Sequence, residues 1–171
     1  MMDQTGSQSE FELRYGKSAV LVALPKDNVA GVLLPCEPLL PPSEADEIEA
    51  ALSQPTGSNK VEDMVSPGMK VVIMASDMTR PSPSHKLLPP LLARLRAAGI
   101  PNGDVTVVFG MGIHRHMTGD EKKALVGEEV FARYKCVEST ESGRYVSLGV
   151  TSRGTPVEVC PEVAEADFII C

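Results

Sequence analysis

Two apolar runs constrain the fold of this 171-residue chain more than any other feature of its sequence. Residues 71–75 (VVIMA) have no polar member, and residues 105–109 (VTVVF) form the second run. Central strands of parallel sheets, which are buried on both faces, have this composition. The segment between the runs has apolar residues at the three- and four-residue spacing of a helix face. They are Leu88, Leu91, Leu92, Leu95 and Ala98. The pattern predicts a strand–helix–strand unit whose two strands lie parallel in one sheet.

Each predicted strand runs into a short polar loop. The first loop carries Asp77, Thr79 and Arg80. The second loop contains Gly110, Gly112, His114, Arg115 and His116. Because the carboxyl ends of neighbouring parallel strands share one edge of the sheet, we expect the two loops to lie together. Open α/β sheets bind their ligands at this edge.

The residue types in these loops suit an anionic ligand. Arg80 offers a forked guanidinium that matches a carboxylate or a phosphate, and Gly110 and Gly112 allow backbone N–H groups to approach a ligand. His114 has the side-chain type that transfers protons near neutral pH. The residues alone are equally consistent with Asp77 and Thr79 capping a turn. A metal site at His114 and His116 is disfavoured, because no third ligand lies near them in the sequence.

The N-terminal part of the chain predicts a β-hairpin. Apolar and polar residues alternate over 11–15, Gly16 and Lys17 signal a turn, and an apolar run covers 18–24. We assign residues 1–10 to a disordered tail and residues 11–171 to one α/β domain. The proline-rich residues 36–46 predict an extended linker.

Helix start signals place two further helices. Ser43 is a predicted N-cap with acidic residues in the turn that follows, and Gln54-Pro55 ends that helix. Thr118 and Glu121 have the spacing of a capping box, opening a helix that runs to about residue 126. Helical segments are also predicted at 61–65 and 128–134.

The central helix carries Pro89 and Pro90, which conflict with one continuous helix. We therefore expect its first turn near Ser84 and a kink or a fresh start at the prolines. After it, short β-prone runs cover 145–150, 156–159 and 168–170. A strand that ends a chain normally feeds a loop and a helix in α/β folds, so we expect a truncated domain whose natural protein continues beyond Cys171.

Composition and charge limit the function classes. The net charge of −7 argues against a nucleic-acid partner, and aromatic residues make up only 4%, too few for a base-stacking platform. No run is long enough to cross a membrane, and the N-terminus lacks the features of a signal peptide. The four cysteines form no C-x-x-C pair. These features predict a cytoplasmic protein with no nucleic-acid or membrane partner.

Two motifs carry a family resemblance. They are D-M-T-R-P at 77–81 and G-M-G-I-H-R-H-M-T at 110–118, separated by the predicted helix. Further matching stretches are R-Y-G-K at 14–17, A-L-S-Q-P at 51–55, L-G-V-T-S-R-G-T-P-V at 148–157 and A-E-A-D at 164–167. With these motifs the chain resembles the N-terminal part of the lactate racemase family over nearly its whole length.

The resemblance implies a racemase or epimerase of a 2-hydroxy acid that uses a nickel-pincer nucleotide as cofactor. In that family the cofactor takes a hydride from the substrate α-carbon and returns it. Two histidines serve as base and acid for the hydroxyl proton, and the first falls on His114. The cofactor-contacting segment falls on Asp77, Met78, Thr79 and Arg80, and no metal ligand is carried over.

The chain departs from the family pattern in two places. The family often has histidine where Met78 stands, and an Asn-His-Asp-like run is replaced by C-V-E-S-T at 136–140. The second histidine, the cofactor-linked lysine and the nickel-ligating histidine of the family belong beyond Cys171. We therefore expect this fragment neither to retain the cofactor nor to turn over substrate. The alternative function is a non-catalytic anion- or nucleotide-binding α/β module. We also expect a homo-oligomer, because an unpaired sheet edge invites pairing.

Overall fold

The computed structural model describes residues 8–36, 43–80 and 82–171. Contacts divide the chain between residues 40 and 41 into two compact units. Most of the predicted tail (1–7) and the middle of the predicted proline-rich linker (37–42) lie outside the described residues.

The first unit is an antiparallel hairpin, as predicted. Strand β1 (Gln8–Tyr15) pairs with β2 (Ser18–Pro25) along its whole length, and a short 3-10 helix (Lys26–Asn28) follows. Gly16 makes the turn with a φ of 60°, where glycine pays no steric penalty. Residues 8–10, for which the sequence predicts a disordered tail, are instead part of β1. Their pairing with residues 23–25 extends the ladder beyond the alternating apolar pattern on which the prediction depended.

The second unit contains a parallel four-stranded sheet with helices against it. The strands of this second unit, in chain order, are β3 (Val71–Ser76), β4 (Val105–Gly110), β5 (Lys135–Glu138), β6 (Val146–Val150), β7 (Pro156–Val159) and β8 (Phe168–Ile170). The parallel sheet has the order β5-β4-β3-β8, and β6 and β7 form a separate antiparallel pair. The predicted parallel pairing of β3 with β4 is confirmed.

The described part of this unit also contains six α-helices. They are α1 (Glu44–Ser53), α2 (Val61–Met64), α3 (Ser84–Ala97), α4 (Gly119–Val126), α5 (Glu128–Arg133) and α6 (Pro161–Ala164), with a 3-10 helix at Asn102–Asp104. Of these helices, α3 packs its apolar face against the sheet. As predicted, the side chain of Ser43 accepts a hydrogen bond from the Asp46 N–H at 3.1 Å, and Thr118 and Glu121 form a capping box. No helix in the described part of the chain is long and apolar enough to span a membrane.

The core lies on both faces of β3 and β4, as their composition predicts. The larger cluster packs alternate strand residues such as Val71 and Ile73 against the apolar face of α3. A smaller cluster of buried residues on the opposite face joins Val72 and Val108 to Cys160 beside α6. β3 and β4 are the two central strands of the sheet. Their carboxyl ends lie at the edge of the sheet where the strands end.

Helix α3 runs without a break through Pro89 and Pro90, so the fresh start that we considered there is wrong. The prolines leave the carbonyls of residues 85 and 86 without their usual helix partners. Both of those residues are exposed, so water can replace the missing N–H groups. The leucines on the opposite face pack on the sheet, and this burial stabilises the helix against the local cost of the prolines.

Leu95 provides a test of this packing. It is fully buried on α3, whereas Leu87 on the same helix is 41% exposed. We expect Leu95→Ala to lower the free energy of unfolding by about 2–5 kcal/mol, because it removes buried methyl groups and leaves a cavity. The matched Leu87→Ala should cost under about 1 kcal/mol. Urea denaturation followed by circular dichroism measures both, and equal losses would contradict the assigned core.

Candidate active site

The loops after β3 and β4 meet at the carboxyl edge of the sheet, as the sequence predicts. Together they line a cleft of about 570 Å³. The lining includes Ser76, Asp77, Thr79, Arg80, Gly110, Gly112, Ile113, His114 and Cys171. Four of the five residues predicted for catalysis or cofactor contact are in this set. The cleft is the place where ligands bind in open parallel sheets.

Asp77 is the buried anchor of the cleft. It is 3% exposed, and its Oδ1 accepts hydrogen bonds from the Thr79 hydroxyl at 2.7 Å and from the Thr79 N–H at 3.0 Å. Its Oδ2 is bonded to Nδ1 of His114. The Thr79 hydroxyl and the His114 ring stabilise the charged carboxylate and hold the pKa of Asp77 at about 2. Asp77 is therefore ionised across the neutral range.

His114 is brought into the cleft by a tight turn. Its N–H donates to the Met111 carbonyl at 3.1 Å, and Gly112 in this turn has a φ of 55°. A Cβ at Gly112 would meet no other atom within 4 Å, so the backbone angle, not crowding, favours glycine. An ionised Asp77 can only accept, which puts the ring proton on Nδ1. The other nitrogen, Nε2, then carries a lone pair, and the side chain is 42% exposed.

Arg80 and Met78 have different surroundings. Arg80 is exposed and lines the cleft, and no acidic side chain of the described residues forms an ion pair with it. Its guanidinium is thus available to an anion. Met78 packs against the larger core cluster and is not among the described residues that line the cleft. Its proposed contact with the cofactor stays a prediction.

Arg115 supports the loop from outside the cleft. Its guanidinium donates to both carboxylate oxygens of Glu121, at 2.9 Å and 2.6 Å, and to the His116 carbonyl at 2.9 Å. Glu121 also accepts the Thr118 N–H in the capping box at 2.8 Å. Arg115 and the Thr118 N–H hold the pKa of Glu121 at about 2. This arrangement ties the loop to the first turn of α4.

A second histidine–carboxylate pair lies beside the first, and sequence reasoning missed it. His116 Nδ1 is bonded to Glu138 at the end of β5, whose side chain is 1% exposed. Burial alone would raise the pKa of Glu138, but hydrogen bonds from His116, the Met117 N–H and Lys122 together hold it below its ordinary value. Glu138, like Asp77, lies where a strand of the parallel sheet ends, so the same argument from the sequence could have pointed to it. Its strand is only four residues long, so the apolar signal was weak.

Metal-ligating side chains are not grouped in the described part of the chain. Among residues 8–36, 43–80 and 82–171, no three His, Cys, Asp or Glu side chains are placed to hold one ion. Within the cleft, three kinds of group could contact an anionic ligand. They are the Arg80 guanidinium, the Thr79 hydroxyl and the backbone around Gly110 and Gly112.

The fold and the cleft define a Rossmann-like α/β domain with a carboxylate-held histidine at its ligand-binding edge. Residues 15–171 match the family described as the lactate racemase N-terminal domain. The chain belongs to the lactate racemase family.

Individual relatives agree with this assignment. The chain is 31% identical over 164 residues to a lactate racemase of Lactiplantibacillus plantarum, covering 94% of the chain and 38% of that protein. It is 30% identical over 166 residues to a lactate racemase of Thermoanaerobacterium thermosaccharolyticum, covering 95% and 39%. The solved lactate racemase apoprotein of the latter organism superposes with a TM-score of 0.77 at 31% identity, covering 94% of this chain and 38% of that one. The chain thus spans under two fifths of the length of these relatives.

The low pKa of Asp77 can be tested by removing its strongest partner. Thr79→Val deletes the hydroxyl that contributes most to the shift, so the pKa of Asp77 should rise from about 2 toward its ordinary value of 3.8. His114→Ala should raise it as well, because it removes the second hydrogen bond and the charge of the imidazolium. Carboxyl carbon shifts, followed by NMR during an acid titration, report both values.

The same shift sets the sign of a stability effect. A carboxylate with a lowered pKa stabilises the fold fully above its unfolded pKa, and the effect is lost as the pH falls toward the folded value. The stability advantage of the wild type over Asp77→Asn should therefore shrink as the pH falls from about 4 toward 2. An advantage that grew over that range would contradict the assigned hydrogen bonds.

Proposed function

We propose that this chain forms one wall of the active site of a racemase or epimerase of a 2-hydroxy acid. The observation that carries the proposal is the bond between His114 Nδ1 and the buried Asp77 carboxylate inside the cleft. Membership of the lactate racemase family supports the reaction class. In this proposal His114 exchanges the proton of the substrate hydroxyl.

The surroundings of His114 suit this role. Asp77 occupies Nδ1 and fixes the ring orientation and tautomer, so Nε2 is the nitrogen left to accept a proton. Because Asp77 stays ionised, it also stabilises the imidazolium that forms when Nε2 takes that proton. Neither Asp77 nor Thr79 needs to move during the exchange, since their hydrogen bonds are already formed in the described cleft.

The cleft also suits anionic groups on a substrate or a cofactor. Arg80 presents an exposed guanidinium, and such a fork binds carboxylate or phosphate through paired hydrogen bonds. A nickel-pincer nucleotide would supply the hydride acceptor for the substrate α-carbon when bound. The donors that fit its phosphate are Arg80, Thr79 and the backbone N–H groups near Gly112. Residues outside this chain would complete the site, because the chain spans only 38–39% of its relatives.

Racemisation of a panel of 2-hydroxy acids tests the proposal, using the complete natural protein prepared with its cofactor. We expect His114→Ala to lower kcat by roughly 100- to 10,000-fold, the range for loss of a general acid–base group. His85→Ala is the matched control, because His85 is an exposed histidine on α3.

Two results would overturn this assignment. Undiminished activity of His114→Ala would remove the proton-transfer role of His114. Tight nucleotide binding without racemisation of any 2-hydroxy acid would favour the non-catalytic binding module instead.

A further inference from the structure

Two neighbouring residues at the end of β5 hold both ends of the loop that carries His114. The Met111 N–H donates to the Ser139 hydroxyl at 3.1 Å, and the Met117 N–H donates to Glu138 Oε1 at 2.8 Å. The Ser139 N–H in turn donates to the Phe109 carbonyl at 2.9 Å, which continues the β4–β5 ladder. The two loop ends are thus tied to a strand two places away from β3.

Glu138 is itself held in one orientation. Its carboxylate accepts from the Met117 N–H, from His116 and from Lys122, whose Nζ lies 3.3 Å away. Its own N–H donates to Glu141 at 3.0 Å. A buried carboxylate that lost these donors would be left unpaired at a high cost, so its position is strongly specified.

The loop has little freedom to move between these two hydrogen-bonded ends. Met111 is fully buried and Met117 is 7% exposed, and both belong to the larger core cluster. Only residues 112–116 project from the core, and His114 is at their centre. A shift at either end is therefore passed to the His114 ring, which must reach Asp77 on a different loop.

We infer that Glu138 and Ser139 are positioning residues, which clamp the loop so that His114 Nδ1 meets Asp77. Neither residue lies among the described residues that line the cleft, so both act through the loop and not on a substrate. His116 belongs to the clamp, since its Nδ1 is bonded to Glu138. The catalytic importance of the clamp rests on the proposed function of His114, whereas its effect on the His114 ring does not.

The direct test reads the tautomer of His114 in this chain by long-range proton–nitrogen NMR at alkaline pH. The chain has only three histidines, so the signals lost in His85→Ala and in His114→Ala suffice to assign all of them. In the wild type we expect the Nδ1–H form, which Asp77 favours. Glu138→Ala and Ser139→Ala should move the ring toward the mixture of Nδ1–H and Nε2–H tautomers found in a solvent-exposed histidine.

The matched control is Glu162→Gln. Glu162 accepts a hydrogen bond from Lys135, at the opposite end of β5, at 2.9 Å. The substitution therefore removes a carboxylate that pairs with the same strand, and it leaves the loop that carries His114 untouched. The His114 signals should not change in this variant. Unchanged His114 signals in folded Glu138→Ala and Ser139→Ala would overturn the clamp. If Glu138→Ala fails to fold, the His114 signals of Ser139→Ala and Glu138→Gln decide whether the clamp exists.

Activity of the complete, cofactor-loaded protein provides the second readout. Misplacing a catalytic group by about 1 Å costs on the order of 100-fold in rate, so we expect kcat to fall about 10- to 100-fold in Glu138→Ala with a smaller change in KM. Glu138→Gln keeps an oxygen for the Met117 N–H and should recover part of the loss. An equal loss in Glu162→Gln would contradict a specific role of the clamp.

The two proposals fail in different ways. A changed His114 tautomer in the clamp variants, together with full activity of His114→Ala, would keep the clamp and refute the proton-transfer role. Loss of activity in His114→Ala, together with an unchanged tautomer in the clamp variants, would keep the proton-transfer role and refute the clamp.

Discussion

The candidate site depends on the parallel pairing of β3 with β4. The pairing runs from Val71 opposite Val105 to Ser76 opposite Gly110, so the two strands end side by side. A slip of one residue would displace one loop by about 3.3 Å and turn the apolar side chains of that strand to the other face. The bond between Asp77 and His114 could not survive that change. The register of β3 against β4 therefore specifies the site as well as the fold.

The part of this arrangement that follows from local patterns could be predicted from the sequence. A strand buried on both faces has to be apolar throughout, which identified β3 and β4, and the edge rule for parallel strands then placed Asp77 and His114 together. The partner that each side chain takes could not be predicted. Asp77 was equally consistent with a turn cap, and in the structure it both caps the turn through Thr79 and holds His114.

The misses have a common physical origin in tertiary packing. Pro89 and Pro90 oppose a helix locally, but the buried leucines on the other face of α3 outweigh that preference. Residues 8–10 lack an apolar alternation and join β1 because β2 extends far enough to pair with them. Glu138 looked like a departure from the family pattern, and its role is visible only once β5 is known to lie beside β4. Each outcome depends on a neighbour that is distant in sequence.

The pairing of a histidine with a buried carboxylate occurs twice at this edge, with different consequences. His114 and Asp77 face the cleft, whereas His116 and Glu138 hold the loop from the other side. In the first pair, Asp77 keeps the proton on Nδ1 because its pKa is about 2, so only Nε2 is free to exchange a proton.

A single nitrogen in a fixed position can serve a hydroxyl that points in one direction. The hydroxyl groups of the two enantiomers of a 2-hydroxy acid point in different directions. If His114 transfers the proton of one enantiomer, the group that serves the other has to approach from the open side of the cleft. Among the described lining residues His114 is the only imidazole, so the proposed function requires a second proton-transfer group that this wall of the cleft does not provide.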